Sequence, residues 1–340
     1  MTAEAITVLL TSGKSDNSLI FRQAPGRQSS WNNVRFITQS SDIDHVDWWV
    51  ICHSSAITKP LSAKCDPKHT VFISMEPPAW GRPENFYNQF SYLVSCNSEI
   101  KHKNLILKNG ITWWAGLKVN FEGGHQISDS SSYDYDLFIS MEIPEKKNRI
   151  SVITSTNKHF PGHRKRLKFI EKLRNHPISK HIDFFGGYHN PIEDKLDGLL
   201  SYKYHIALEN SAINNYWTEK FADPLLAYTL PIYYGCKNIS DYFPADSYIP
   251  IDIDNFDEAV YLMLKALDRD VYSERLEGIK SARSKILNEY NILQLIADIC
   301  QEPAKEIANL SIHPANHFLD TRKPFLWRVI SRIRKLLQPQ

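Results

Sequence analysis

Residues 204–254, YHIALENSAINNYWTEKFADPLLAYTLPIYYGCKNISDYFPADSYIPIDID, limit the possible folds more than any other part of the chain. An apolar, β-prone run over 204–208 stops at Glu209 and Asn210 and passes into a polar turn. The pattern predicts an amphipathic helix from about Tyr216, followed at once by a second β-prone run over 230–235. Strand, helix and strand with short connections make a βαβ unit, whose crossover lays the two strands parallel in one sheet. Ligands of open parallel sheets collect beyond the carboxyl ends of the strands. Glu209, Asn210 and the triplet Thr218-Glu219-Lys220 are therefore expected to share one crevice.

The side chains there suggest what the crevice holds. The first turn of a helix presents unpaired N–H groups and a positive dipole end, and Lys220 adds a full charge, so a phosphate is a fitting guest. Glu219 can accept from vicinal hydroxyls such as those of a ribose, and Tyr216 and Trp217 offer flat faces to a sugar or base. The composite is a nucleotide-sugar site. The plain alternative is a pair of solvated first-turn charges.

These segments, ALENS, YWTEKFADPLLAYTLPIYYG and YFPADSYIPIDIDNF, resemble the donor-binding region of glycosyltransferase family 10, the α-1,3/4-fucosyltransferases. The family pattern is roughly FENS, then Y-V-T-E-K, then V-P-V-x-x-G. The chain departs from it at Ala207, where an aromatic is common, and at Trp217, where Val is usual. The resemblance is strong over about 150–257, weak before it and slight in the tail. It implies an α/β fold of the GT-B type, two Rossmann-like α/β domains facing across a cleft. It also implies an inverting transfer of fucose from GDP-fucose to a hydroxyl of a glycan, lipopolysaccharide or other glycoconjugate. No cofactor is expected beyond the donor, with a divalent metal at most stimulatory.

Other motifs gain weight from this resemblance. Glu76 in VFISMEPP follows a β-prone run, and two prolines hold the next backbone extended. Read alone it is a turn glutamate or a general base; the family's ISMES-like segment implies the base. Pro161-Gly162-His163-Arg164-Lys165-Arg166 opens a helix near a strand end, where its basic residues invite an anion. The resemblance implies an arginine on the donor phosphates. Spacing to Leu173 favours Arg166, with Arg164 in reserve. HIDFFGG, residues 181–187, is similar to the family's VDVYG segment. Tyr216 and Asn210 are expected to border the nucleoside and sugar, with Glu209 and Asp254 as secondary candidates. Asp252 and Asp254 read equally well as turn caps.

Length and composition set the frame. A chain of 340 residues with 42% hydrophobic and 23% charged residues is globular and long enough for two cores. A net charge of +2 gives no argument for nucleic acid. Five scattered cysteines without a C-x-x-C pair indicate neither a disulfide framework nor a zinc site. The opening residues lack a basic leader and read as a first core strand, and no run approaches the roughly 20 apolar residues of a membrane span. A cytoplasmic bacterial enzyme, peripheral on the inner face of the membrane, is expected.

Short β-prone runs at 6–10, 34–38, 48–52, 71–74 and 92–95 predict an α/β first domain. Trp113 and Trp114 suit interdomain core better than a sugar cleft. The polar stretch 123–148 predicts the boundary, giving domains over 1–147 and 148–312 and a tail over 313–340. Asp134-Tyr135-Asp136 has the D-x-D form of metal-nucleotide sites, but two carboxylates alone do not build one. Strands are expected at 150–154 and 248–251, and helices over 256–267 and 271–299. In the tail, residues 325–337 carry Leu326, Val329, Ile330, Ile333, Leu336 and Leu337 on one face and basic residues elsewhere, a pattern suited to an anionic membrane surface. The rival readings are a same-fold transferase using another nucleotide-sugar and a non-catalytic carbohydrate-binding or scaffold protein.

Overall fold

The computed structural model describes residues 5–13, 17–38, 43–120, 126–128, 133–187 and 190–318. They form two compact units. The first takes in the described residues up to Thr112 and, after a long excursion, those from Tyr290 onward; the second is Trp113–Glu289.

In the first unit the strands are β1 (Ile6–Thr11), β2 (Ser30–Trp31), β3 (Val34–Ile37), β4 (Trp48–Cys52), β5 (Leu61–Cys65), β6 (Thr70–Ile73), β7 (Tyr92–Ser95) and β8 (Leu105–Leu107), with a single helical turn, α1 (Glu84–Tyr87). Seven of them make one sheet in the order β2-β3-β1-β4-β6-β7-β8. All neighbours run parallel except β2 on β3. The runs expected at 6–10, 34–38, 48–52, 71–74 and 92–95 are all present in it, within a residue or so at each end. β4 reads WWVIC and every residue is buried, as in a strand covered on both faces. One face packs on Phe72, whose ring stacks on Phe90 and meets Phe86 edge-on.

The second unit holds β9 (Lys118–Asn120), β10 (Gln126–Ser128), α2 (Tyr135–Ser140), β11 (Lys147–Ile153), α3 (Pro161–Arg174), β12 (Ile182–Phe185), β13 (Tyr202–Leu208), α4 (Glu219–Leu226), β14 (Leu230–Tyr234), β15 (Ile249–Pro250), α5 (Phe256–Arg269), α6 (Val271–Glu274) and α7 (Leu276–Leu287). Its main sheet is wholly parallel, in the order β12-β11-β13-β14-β15. The expected βαβ unit is β13-α4-β14. The helix begins three residues later than the sequence suggests, because the Thr218 hydroxyl accepts from the Lys220 N–H and caps it. α3 starts with Pro161 at its first position and buries His163, Arg166, Phe169, Ile170 and Leu173 along one stripe.

The expected domain boundaries are corrected at both ends. The polar stretch 123–148 is not the linker: the Trp113 ring packs edge-on against Phe138, and the Trp114 and Gly116 amides donate to the buried carboxylates of Asp223 and Asp194. Those contacts place the start of the second unit at Trp113, whose side chain is core of that unit. The helical run expected over 271–299 is broken into three, and the last piece, α8 (Ile292–Ile299), belongs to the first unit. Asn291 donates to the Gln23 carbonyl and Trp31 to Gln294, while β16 (Ala308–Ile312) pairs antiparallel with β5. Polarity marks exposure; it does not mark where contacts stop. No helix among the described residues is long and apolar enough to cross a membrane. The amphipathic pattern over 325–337 lies outside the described residues.

Ile296 is fully buried on α8. Ile296→Ala should destabilise the protein by about 2–5 kcal/mol through the cavity it leaves. Hydrogen exchange should rise in β1–β4 and not in β11–β14; faster exchange confined to the second-unit sheet would contradict the assignment of α8.

Candidate active site

Strand order locates the place to look. Counting the strands of its main sheet from β11, the second unit has the doubly wound order 2-1-3-4-5, which reverses direction between β11 and β13. Ligands of such sheets sit at that switch, outside the carboxyl ends. Ser155 follows β11 and Asn210 follows β13, and Arg166 from α3 reaches both. One Nη donates to Asn210 Oδ1 at 2.7 Å and the other to Ser155 Oγ at 3.4 Å. The arginine is 6% exposed, and its Nε is buried without a hydrogen-bond partner. Burial lowers its pKa, and the charges of Glu209 and Glu219 oppose that shift.

A close approach of backbones makes this possible. A Cβ on Gly162, in the first turn of α3, would lie 2.8 Å from the Asn210 carbonyl carbon and on top of its oxygen. Only glycine lets α3 start against the end of β13.

Below Asn210 the site is a buried network of charge. Glu209, 1% exposed, accepts from the Thr218 N–H at 2.8 Å and from the Thr218 hydroxyl at 2.9 Å. Lys220 Nζ stands 3.0 Å from Glu219 Oε1 and 3.8 Å from Glu209 Oε2. Lys195 Nζ pairs with Asp223 Oδ2 at 2.8 Å and reaches Glu219 Oε1 at 3.5 Å. Burial raises the Glu209 carboxyl above the usual carboxylate range, against the pull of Lys220. Burial raises Asp223 as well, against Lys195. Burial would also raise Glu219, but Lys220 and then Lys195 hold it well below that range. Both lysines contact the same oxygen, Oε1, of Glu219.

The structure thus brings Arg166, Asn210, Glu209, Glu219 and Lys220 into one connected set. Three expectations are corrected. Arg164 is exposed and donates to the Lys158 carbonyl, since the helix turns it away from the sheet. Tyr216 and Trp217 offer no open faces: both rings are buried, and Trp217 packs edge-on against Phe243 at 4.9 Å between centroids. They precede the helix instead of lining its first turn. Asp254 is tied to Lys165, and Asp252 accepts from the Asp254 N–H as a turn cap. In the D-x-D triplet, Asp134 caps α2 by accepting from the Leu137 N–H. No group of three metal-ligating side chains occurs among the described residues.

The first unit has the same doubly wound order, counting β1, β3, β4, β6, β7 and β8, and again its polar residues gather at the carboxyl ends. Glu76 lies three residues past β6, half-exposed, with Oε1 3.0 Å from Nε2 of His53 at the end of β4. His53 and Lys195 were not singled out by the sequence. No local pattern marks either, since each meets its carboxylate across 23 to 28 residues of chain.

Two doubly wound α/β units, each with its polar cluster at the carboxyl ends of a largely parallel sheet, make up an α/β fold of the GT-B type. Residues 143–302 match the C-terminal model of glycosyltransferase family 10 (fucosyltransferase). It is 32% identical over 87 residues to an α-(1,3)-fucosyltransferase of Helicobacter pylori, a match covering 25% of this chain and 18% of that protein. It is 33% identical over 105 residues to the GDP-fucose protein O-fucosyltransferase 3 of Bos taurus, covering 29% and 21%. The chain thus spans about a fifth of the length of these curated relatives. A solved α1,3-fucosyltransferase with GDP shares the fold at a TM-score of 0.50 and 15% identity, covering 89% of this chain and 92% of that one.

Gly162→Ala should push α3 off the end of β13, separate Arg166 from Asn210, and lower the melting temperature by several degrees. A variant that melts with the parent would contradict the packing described.

Proposed function

We propose that the chain is an inverting fucosyltransferase that moves fucose from GDP-fucose to a hydroxyl of a glycan acceptor, forming an α-1,3 or α-1,4 linkage. The observation that carries this reading is Arg166 held across the switch point by Asn210 and Ser155, within the segment that matches the fucosyltransferase family. A buried guanidinium there can face a diphosphate bidentately. Lys220 supplies a second cation beside it, and Glu219 Oε2 takes a ribose hydroxyl.

Glu76 then removes the proton of the acceptor hydroxyl. The freed oxygen attacks the anomeric carbon from the face opposite GDP, the bond to the phosphate oxygen breaks with its electron pair, and the configuration inverts. Charge grows on the departing diphosphate, where fixed cations act most strongly because they need no reorganisation. Arg166 and Lys220 fill that role, so no resident metal is required, and EDTA should leave the rate within about twofold.

The test needs no acceptor at first. Calorimetry should show GDP-fucose and GDP binding, with GDP-mannose and UDP-galactose at least about tenfold weaker, a step of about 1.4 kcal/mol. Preference for another nucleotide-sugar would overturn the fucosyl assignment. Glu76→Gln should lower kcat about 100-fold or more while GDP-fucose binding is kept. Lys220→Ala should lower kcat on a similar scale, with a smaller effect on stability. A Lys220→Ala protein of normal activity would contradict its role. A protein acceptor is the second reading, favoured by the similarity to a relative named as a protein O-fucosyltransferase. Comparing free oligosaccharides with folded glycoprotein and peptide acceptors separates the two.

A further inference from the structure

We infer that His53 is the positioning residue for Glu76, holding one oxygen of that carboxylate so that the other is presented to the acceptor hydroxyl; this rests on the reading of Glu76 as the base. His53 is the residue immediately after β4, and Glu76 follows the adjacent strand β6. The first-unit sheet reverses between β1 and β4, so His53 stands at the switch point of its own unit, where ligands of such sheets collect.

Its backbone is held in an unusual state. His53 has φ 67 and ψ 140, a positive φ that a residue with a Cβ rarely adopts. The conformation is held by its N–H, which donates to the Ile73 carbonyl at 3.0 Å, and by its carbonyl, which accepts from Ala56 at 3.2 Å. Strain of this kind persists where the surroundings over-determine it. Here it turns the ring toward Glu76.

The hydrogen bonds also fix the proton on the ring. The Ser55 N–H donates to Nδ1 at 3.1 Å, so Nδ1 carries a lone pair. The Ser55 hydroxyl lies 2.7 Å from the same nitrogen. Gly13, just past the end of β1, leaves the space for it, since a Cβ there would come within 2.8 Å of that hydroxyl. The ring proton of the neutral imidazole is therefore on Nε2, and Nε2 donates to Glu76 Oε1 at 3.0 Å. Oε2 makes no hydrogen bond among the described residues. A donor at Nε2 orients the carboxylate through Oε1 and leaves Oε2 to face the acceptor. When Oε2 takes the acceptor proton, the bond from Nε2 to Oε1 remains.

A chance surface contact between side chains 28% and 36% exposed predicts none of this. The full chain with His53→Phe should lower kcat for GDP release from GDP-fucose about 10- to 100-fold, with KM for the donor within about twofold. His53→Gln, which keeps an N–H near the Nε2 position, should recover at least about fivefold of that loss. Added to Glu76→Gln, His53→Phe should lower the rate no further, as for groups acting as one unit. An unchanged kcat in His53→Phe, or the same extra loss in the Glu76→Gln background, would overturn the inference. Should the phenylalanine variant fail to fold, two-bond ¹H–¹⁵N spectra of the histidine-labelled parent decide. A His53 ring in the Nε2–H tautomer supports the inference; an Nδ1–H tautomer sinks it. Failure of the underlying reading looks different: Glu76→Gln then turns over at the parent rate while the His53 tautomer is still Nε2–H.

Discussion

The second unit depends on a guanidinium held across the gap between two strand ends. Taking an arginine out of water is expensive unless its donors and its charge are answered, and at Arg166 they are answered by Asn210, Ser155 and the fields of Glu209 and Glu219. From there the contacts run in sequence. Asn210 directly follows the buried Glu209; Glu209 holds Thr218; Thr218 caps α4; and α4 carries Glu219, Lys220 and Asp223. Lys195 then ties Glu219 to Asp223, and Asp223 takes the Trp114 amide. The start of the unit and its ligand crevice are thus parts of one polar network. Removing Asp223, which is fully buried, would leave its partners unanswered at a cost of roughly 3–5 kcal/mol.

The two units share a topology and differ in the polar side chains they gather. Each is a sheet, wholly parallel in the second unit and parallel but for β2 in the first, that reverses after its first strand, and each concentrates polar residues at the carboxyl ends. In the second unit the residues are cations and deep carboxylates, suited to a diphosphate and a ribose. In the first they are a half-exposed carboxylate, Glu76, and the histidine within hydrogen-bond distance of it, His53. Strand order determines where a site forms, and side chains determine what it does.

Much of this was legible in the sequence. Parallel strands buried on both faces read as unbroken apolar runs, so the strands of both main sheets stand out, and the turn after each marks the candidate residues. Arg166 could be preferred to Arg164 because helical spacing puts it on the face of Leu173. The errors have physical causes as well. Tyr216 and Trp217 look like open aromatic faces only if the helix starts at Tyr216; once Thr218 caps it, both rings belong to the core. The boundary was misplaced because α8 is apolar enough to suit either unit, and only Asn291 on Gln23 and Gln294 on Trp31 show which one it joins. His53 and Lys195 were invisible because their partners are distant in sequence and the strand order alone brings them together.

The most direct test is a crystal structure of the intact chain soaked with GDP. The account predicts the diphosphate outside the carboxyl ends of β11 and β13, with an Nη of Arg166 within hydrogen-bond distance of a phosphate oxygen and the ribose on Glu219. A GDP seated elsewhere, at the far edge by β15 or on the first unit, with Arg166 still bound only to Asn210 and Ser155, would contradict it.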